Sequence, residues 1–119
     1  LEAIESIPNS DYAYLIKVVE DADIGVLRQL SDHIANQSKS KTAILLAATK
    51  SDKASVIVKL TSDFSTINAP KIIDIITEKA GGGGGGKSTM AQAGGVALEK
   101  LNDALESAKE HIISSCSDA

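Results

Sequence analysis

A chain of 119 residues, 43% hydrophobic and 24% charged, has room for one folded domain around one core. No apolar run approaches the roughly 20 residues that a membrane-spanning helix needs, and a lone cysteine, Cys116, excludes an internal disulfide. The net charge of −4 runs against the basic surplus usual in nucleic-acid binders, but it is unevenly spread: residues 1–40 hold three basic and seven acidic groups, residues 41–70 four and two.

Along the chain, residues 1–9 read as the remnant of an upstream connecting helix or linker, with a helical look over Leu1–Ile7. Residues 10–119 read as the domain, with a short flexible tail after about 113. No basic-then-apolar leader pattern opens the chain. Tyr12–Val19 is β-branched and aromatic with one charge, Lys17, and predicts a largely buried strand. Asp23 suits the N-cap of a helix over 24–36, where Leu27, Leu30 and Ile34 recur at helical spacing. Thr42–Thr49 and Ser55–Thr61 predict two antiparallel strands around the polar turn 50–54, with Lys59 on the face opposite Val56, Val58 and Leu60. The isoleucines of Lys71–Lys79 could pass for a strand. Ala69, Ile72, Ile73, Ile76 and Ala80 nevertheless make a helical stripe, with Asn68 and Pro70 at its start and Gly81 at its stop. A last helix over Val96–Ile113 carries Leu98, Leu101, Leu105, Ala108 and Ile112 as a narrow seam. Packing on the domain's own sheet is the expected use of that seam, with a dimer contact as the competing one. The expected class is α/β: one small domain, a mixed sheet with packed helices, and a glycine-rich loop before a long final helix.

Six consecutive glycines, Gly81–Gly86, are the most unusual feature. Glycine is costly to order, so a folded domain that keeps six either leaves them mobile or brings backbone very close to something. Gly81, four residues, then Gly86-Lys87-Ser88 satisfies the P-loop pattern literally. That motif needs a strand entering and a helix leaving, whereas here a helix is expected to enter and Gly94-Gly95 interrupts the exit. Too little chain follows Lys87 for the rest of a nucleotide-hydrolysing sheet.

The run continues as Lys87-Ser88-Thr89-Met90-Ala91-Gln92-Ala93-Gly94-Gly95. With the glycines before it, this stretch resembles the signature of the alanyl-tRNA synthetase C-terminal domain, within the wider DHH-associated domain group. Phosphodiesterases of that group usually follow the glycines with a histidine, which is absent here. The resemblance covers about residues 10–119, with its most specific part at 80–95. Three positions depart from the family's usual pattern: a basic residue is common where Gly83 stands, arginine where Lys87 stands, and Pro-Asp where Ser88-Thr89 stand. An arginine fork replaced by a lysine point charge reads phosphate less geometrically.

The resemblance implies a non-catalytic domain that binds or positions tRNA(Ala) near its outer corner to assist aminoacylation and editing. Its implied partners are that tRNA and the synthetase's own aminoacylation and editing domains, in the cytoplasm and without a membrane. It implies no cofactor here, ATP, magnesium and zinc serving the parent ligase. Gly84, Gly85, Gly86, Lys87, Met90 and Gln92 are the expected RNA contacts, with Lys50 and Lys53 in the hairpin turn. No metal spacing or catalytic constellation stands out: His33 and His111 fall on different helices, and Cys116 has no basic neighbour in its Ser-rich tail. The alternative is an interaction or homodimer module that kept the fold but lost most tRNA binding, or binds other nucleic acid.

Overall fold

The computed structural model describes residues 5–6, 12–37, 41–50, 52–61 and 67–116. In chain order the elements are β1 (Glu5–Ser6), β2 (Tyr12–Glu20), α1 (Ile24–Gln37), β3 (Lys41–Lys50), β4 (Lys53–Leu60), α2 (Ala69–Ala80), β5 (Gly83–Lys87), β6 (Met90–Ala97) and α3 (Leu98–Cys116). The strands form one mixed sheet in the order β1-β2-β3-β4-β6-β5. Among the described residues only β2 and β3, joined through α1, pair in parallel. The expected α/β class is the observed one.

The sheet is covered on both faces, and its alternation says by what. Tyr14, Leu45, Val56, Val58, Ala91 and Ala93 pack under α2 and α3 with Ile72, Ile76, Leu105 and Ile112. Leu15, Ile44, Leu46 and Ile57 face the other way and meet Leu27 and Ile34 of α1. The central strand β3 is buried from Thr42 to Ala48, which explains why it reads as a continuous apolar run rather than an alternating one. Side-chain caps fix the helix starts. The Asp23 carboxylate accepts from the Val26 N–H at 3.2 Å, and the Asn68 side-chain oxygen from the Lys71 N–H at 2.9 Å. Gly81, at φ 81°, ends α2.

Four expectations change. Glu5–Ser6, inside the stretch expected to be helical, is a strand paired with Ala13 and Tyr14, because β2 offers an open edge there. The glycine-rich loop is instead one arm of a β-hairpin: Gly83–Lys87 pairs antiparallel with β6. Val96 belongs to β6 rather than the last helix, because β6 resumes pairing with β4 beyond Gly94-Gly95. Two β6 glycines there face a single β4 position, a bulge. At its other end α3 continues to Cys116, past the tail expected after about 113. Its seam is used internally: Leu101, Leu105, Ala108 and Ile112 are buried in the domain's own core.

Candidate functional site

The hairpin β5–β6 is the edge of the sheet, and its two sides differ. Directly paired residues of antiparallel strands share a face. Ala91 and Ala93 sit in the core under α2 and α3, so their partners Gly86 and Gly84 face that side. Gln92 with Gly85, and Met90 with Lys87, lie on the α1 side. The pairing continues onto β4, where Ile57 lies opposite Gln92 and Lys59 opposite Met90.

Glycine is required at Gly84 and Gly86 for close approach. A Cβ at Gly84 would run into the carbonyl oxygen of Gln92 and lie 2.6 Å from Ala93 Cα; one at Gly86 would run into the Met90 carbonyl oxygen. At Gly83 and Gly85 a Cβ would meet nothing within 4 Å. Ser88 and Thr89 make the turn, and both their carbonyls are used. The Ala69 N–H donates to Ser88 O at 2.9 Å and the Leu60 N–H to Thr89 O at 2.8 Å. The hairpin tip is thereby tied to the start of α2 and the end of β4.

On the α1 side a shallow groove of about 280 Å³ runs between Ile24, Ser55, Gln92, Gly94 and the backbone of Gly83–Gly85. Arg28 of α1 reaches across to Gln92: its Nε and Nη2 donate to Oε1 at 3.1 and 2.9 Å. Lys59 Nζ lies 2.7 Å from Asp32 Oδ1, an ion pair whose acid is largely exposed. Lys87 is exposed at the end of β5. Arg28, Lys59 and Lys87 thus fall on the face where Gln92 lies, although the chain as a whole is acidic.

The structure brings Gly84, Gly85, Gly86, Lys87, Met90 and Gln92 into one hairpin. Met90 is half-buried against the α1-side core, which gives it a bracing role. Lys53 lies elsewhere, opposite Ala97 at the far end of β4, in a separate groove with Leu98 and Glu99. Lys50 pairs in register with Lys53; its side chain lies outside the described residues, as does that of Cys116. Sequence reading missed Arg28 and Lys59 as site residues. For Lys59 the signal was its alternation against Val56, Val58 and Leu60; for Arg28, 64 positions from Gln92, there was none.

The glycine run is not a P-loop. A helix enters Gly81, and the following glycines form a strand rather than a phosphate cradle. Among the described residues no group of three or more His, Cys, Asp and Glu side chains is placed to hold a metal. His111 of α3 keeps Nε2 buried without a hydrogen-bond partner. Burial, and secondarily the Lys71 ammonium, lowers its pKa below the ordinary 6.5.

The model of the DHHA1 domain matches residues 11–114 of the chain. The chain belongs to the DHHA1 domain family. Its similarity extends to alanine–tRNA ligases: that of Fervidobacterium nodosum is 40% identical over 97 residues, 78% of this chain and 11% of the relative. That of Polynucleobacter asymbioticus is 40% identical over 98 residues, 81% of this chain and again 11% of the relative. The chain therefore spans about a ninth of the curated relatives it matches. Among solved structures, the C-Ala domain from Aquifex aeolicus alanyl-tRNA synthetase superposes with a TM-score of 0.77 at 26% identity. That overlap covers 97% of this DHHA1 domain and 98% of the other. A DHH-domain structure from the s1p family of ribosomal proteins shares the fold, with a TM-score of 0.63 at 19% identity. Both comparisons thus lead to alanine–tRNA ligases, the structural one to a C-Ala domain.

Proposed function

We propose that this DHHA1 domain is the tRNA-contacting part of an alanine–tRNA ligase, working in the cytoplasm beside the ligase's aminoacylation and editing domains. The observation that carries this reading is the end-to-end overlap with a C-Ala domain. The hairpin supplies a physical surface for it. Glycine backbone at 83–85 lets a phosphate or ribose approach without a Cβ intervening, and Arg28, Lys59 and Lys87 add positive charge on that side. Gln92 offers its amide to a base edge or a 2′-hydroxyl. The domain needs no cofactor for this; ATP, magnesium and zinc belong to the chemistry of the rest of the ligase. The seam of α3 is buried in the domain's own core, so the interaction alternative rests on the acidic charge and on the departures at Gly83 and Lys87.

With two or three cations engaged and net charge −4, binding is weak and strongly salt-dependent. Titrating the chain with tRNA(Ala) transcript is expected to show an affinity loss of roughly 10- to 40-fold between ~50 and ~200 mM salt. Folded protein that fails to bind at the lower salt refutes direct RNA contact.

A further inference from the structure

We propose that Arg28 is a positioning residue that locks Gln92 as a hydrogen-bond donor, so that the groove beside the glycine hairpin selects acceptor atoms of its ligand. This deepens, and rests on, the tRNA-contact reading. The inference follows from the chemistry of one contact. A guanidinium has donors only, so the Gln92 atom that meets Arg28 Nε and Nη2, at 3.1 and 2.9 Å, is the carbonyl oxygen Oε1. Exchanging the amide's oxygen and nitrogen would set N–H against N–H. Two donors converging on one oxygen therefore fix the amide's sense, and the Nε2 amino group is turned away from Arg28. It makes no hydrogen bond among the described residues.

Gln92 lines the groove with the open backbone of Gly83 and Gly85. The other side chains of this face point to the same selection: Lys87 and the remaining N–H groups of Arg28 are also donors only. Of the other polar side chains nearby, the Ser55 hydroxyl can donate as well as accept, and the Asp32 carboxylate is engaged by Lys59 at 2.7 Å. An unlocked glutamine would accept as readily as it donates. Clamped by Arg28, it disfavours a ligand that offers an amino group and favours one that offers an acceptor. In RNA that acceptor is a phosphate or ribose oxygen, a base carbonyl or a base ring nitrogen.

Arg28→Met, Arg28→Lys, Gln92→Ala and the Arg28→Met/Gln92→Ala double variant test this, with tRNA(Ala) transcript as the probe. The Gln92 side-chain amide is followed by nitrogen-15 NMR in the free proteins. Expected are a rigid Gln92 amide in the parent chain and a mobile one in Arg28→Met. Affinity should fall about fivefold for each single variant, and in the double variant by clearly less than the product of the two losses. Arg28→Lys keeps the charge but not the fork, so it should lose nearly as much as Arg28→Met. A mobile amide in the parent, losses that multiply in the double variant, or full rescue by lysine overturns the proposal and makes Arg28 an independent charge. A rigid amide in a parent chain that binds no RNA overturns instead the tRNA reading on which the role depends. Repeating the Gln92→Ala measurement on oligo(U) and oligo(A) separates the acceptors: equal losses assign backbone oxygens, unequal losses a base edge.

Discussion

Alanine substitutions along the glycine run should alternate in effect. Gly84→Ala places a methyl group into the Gln92 carbonyl oxygen and 2.6 Å from Ala93 Cα; Gly86→Ala places one into the Met90 carbonyl oxygen, 2.6 Å from Ala91 Cα. The obstructing atoms are backbone of the paired strand, so they cannot yield as the end of a flexible side chain would. Relief requires β5 to lift from β6, which strains an edge already pinned at its turn by the hydrogen bonds to Ala69 and Leu60. Overpacking of this kind costs about 1–3 kcal/mol. Gly83→Ala and Gly85→Ala meet open space at ordinary φ. They remove freedom from the unfolded chain and should be neutral or stabilising by up to ~1 kcal/mol. For a domain of this size, 1 kcal/mol corresponds to about 4 °C in Tm. Thermal unfolding followed by circular dichroism should then show losses of roughly 4–12 °C at Gly84 and Gly86, against little change or a small gain at Gly83 and Gly85. Four equal effects would refute the hairpin and return the run to a mobile loop.

Two further perturbations probe the frame that holds the hairpin. Asn68→Ala removes the side-chain acceptor for the Lys71 N–H and should lower stability by about 1 kcal/mol in urea unfolding, with the m-value unchanged. His111 is held neutral in the fold by burial and by Lys71, so its folded pKa lies below the unfolded value of about 6.5. Its stabilising share is complete above pH ~6.5 and declines as pH falls through the lowered folded pKa, because the unfolded chain takes up the proton first. Unfolding free energies measured from pH 7.5 to 5 should fall less steeply in His111→Leu than in the parent chain.

The secondary elements that carry their own period and punctuation were legible in the sequence. Asp23 and Asn68 announced helix starts with the acceptors that later cap them, and the isoleucines of α2 announced the buried face that the core uses. The two strands around the Lys50–Lys53 turn were legible because each side chain's face follows from alternation alone. The Met90–Gly95 stretch carried the family, since six residues in that order after a glycine run are far more specific than the run itself.

Tertiary structure decided what had no local signal. Glycine has no side chain to alternate and low strand propensity, so nothing in Gly83–Gly86 marks a strand; it is one because β6 offers an edge and α2 delivers the chain beside it. Whether the α3 seam faces the domain or a partner depends on what lies across from it, and the core settles that. The pairing of Arg28 with Gln92 lies deepest in this class. A helix and a strand 64 residues apart meet only after the sheet between them has formed, and the amide's direction exists only once they do.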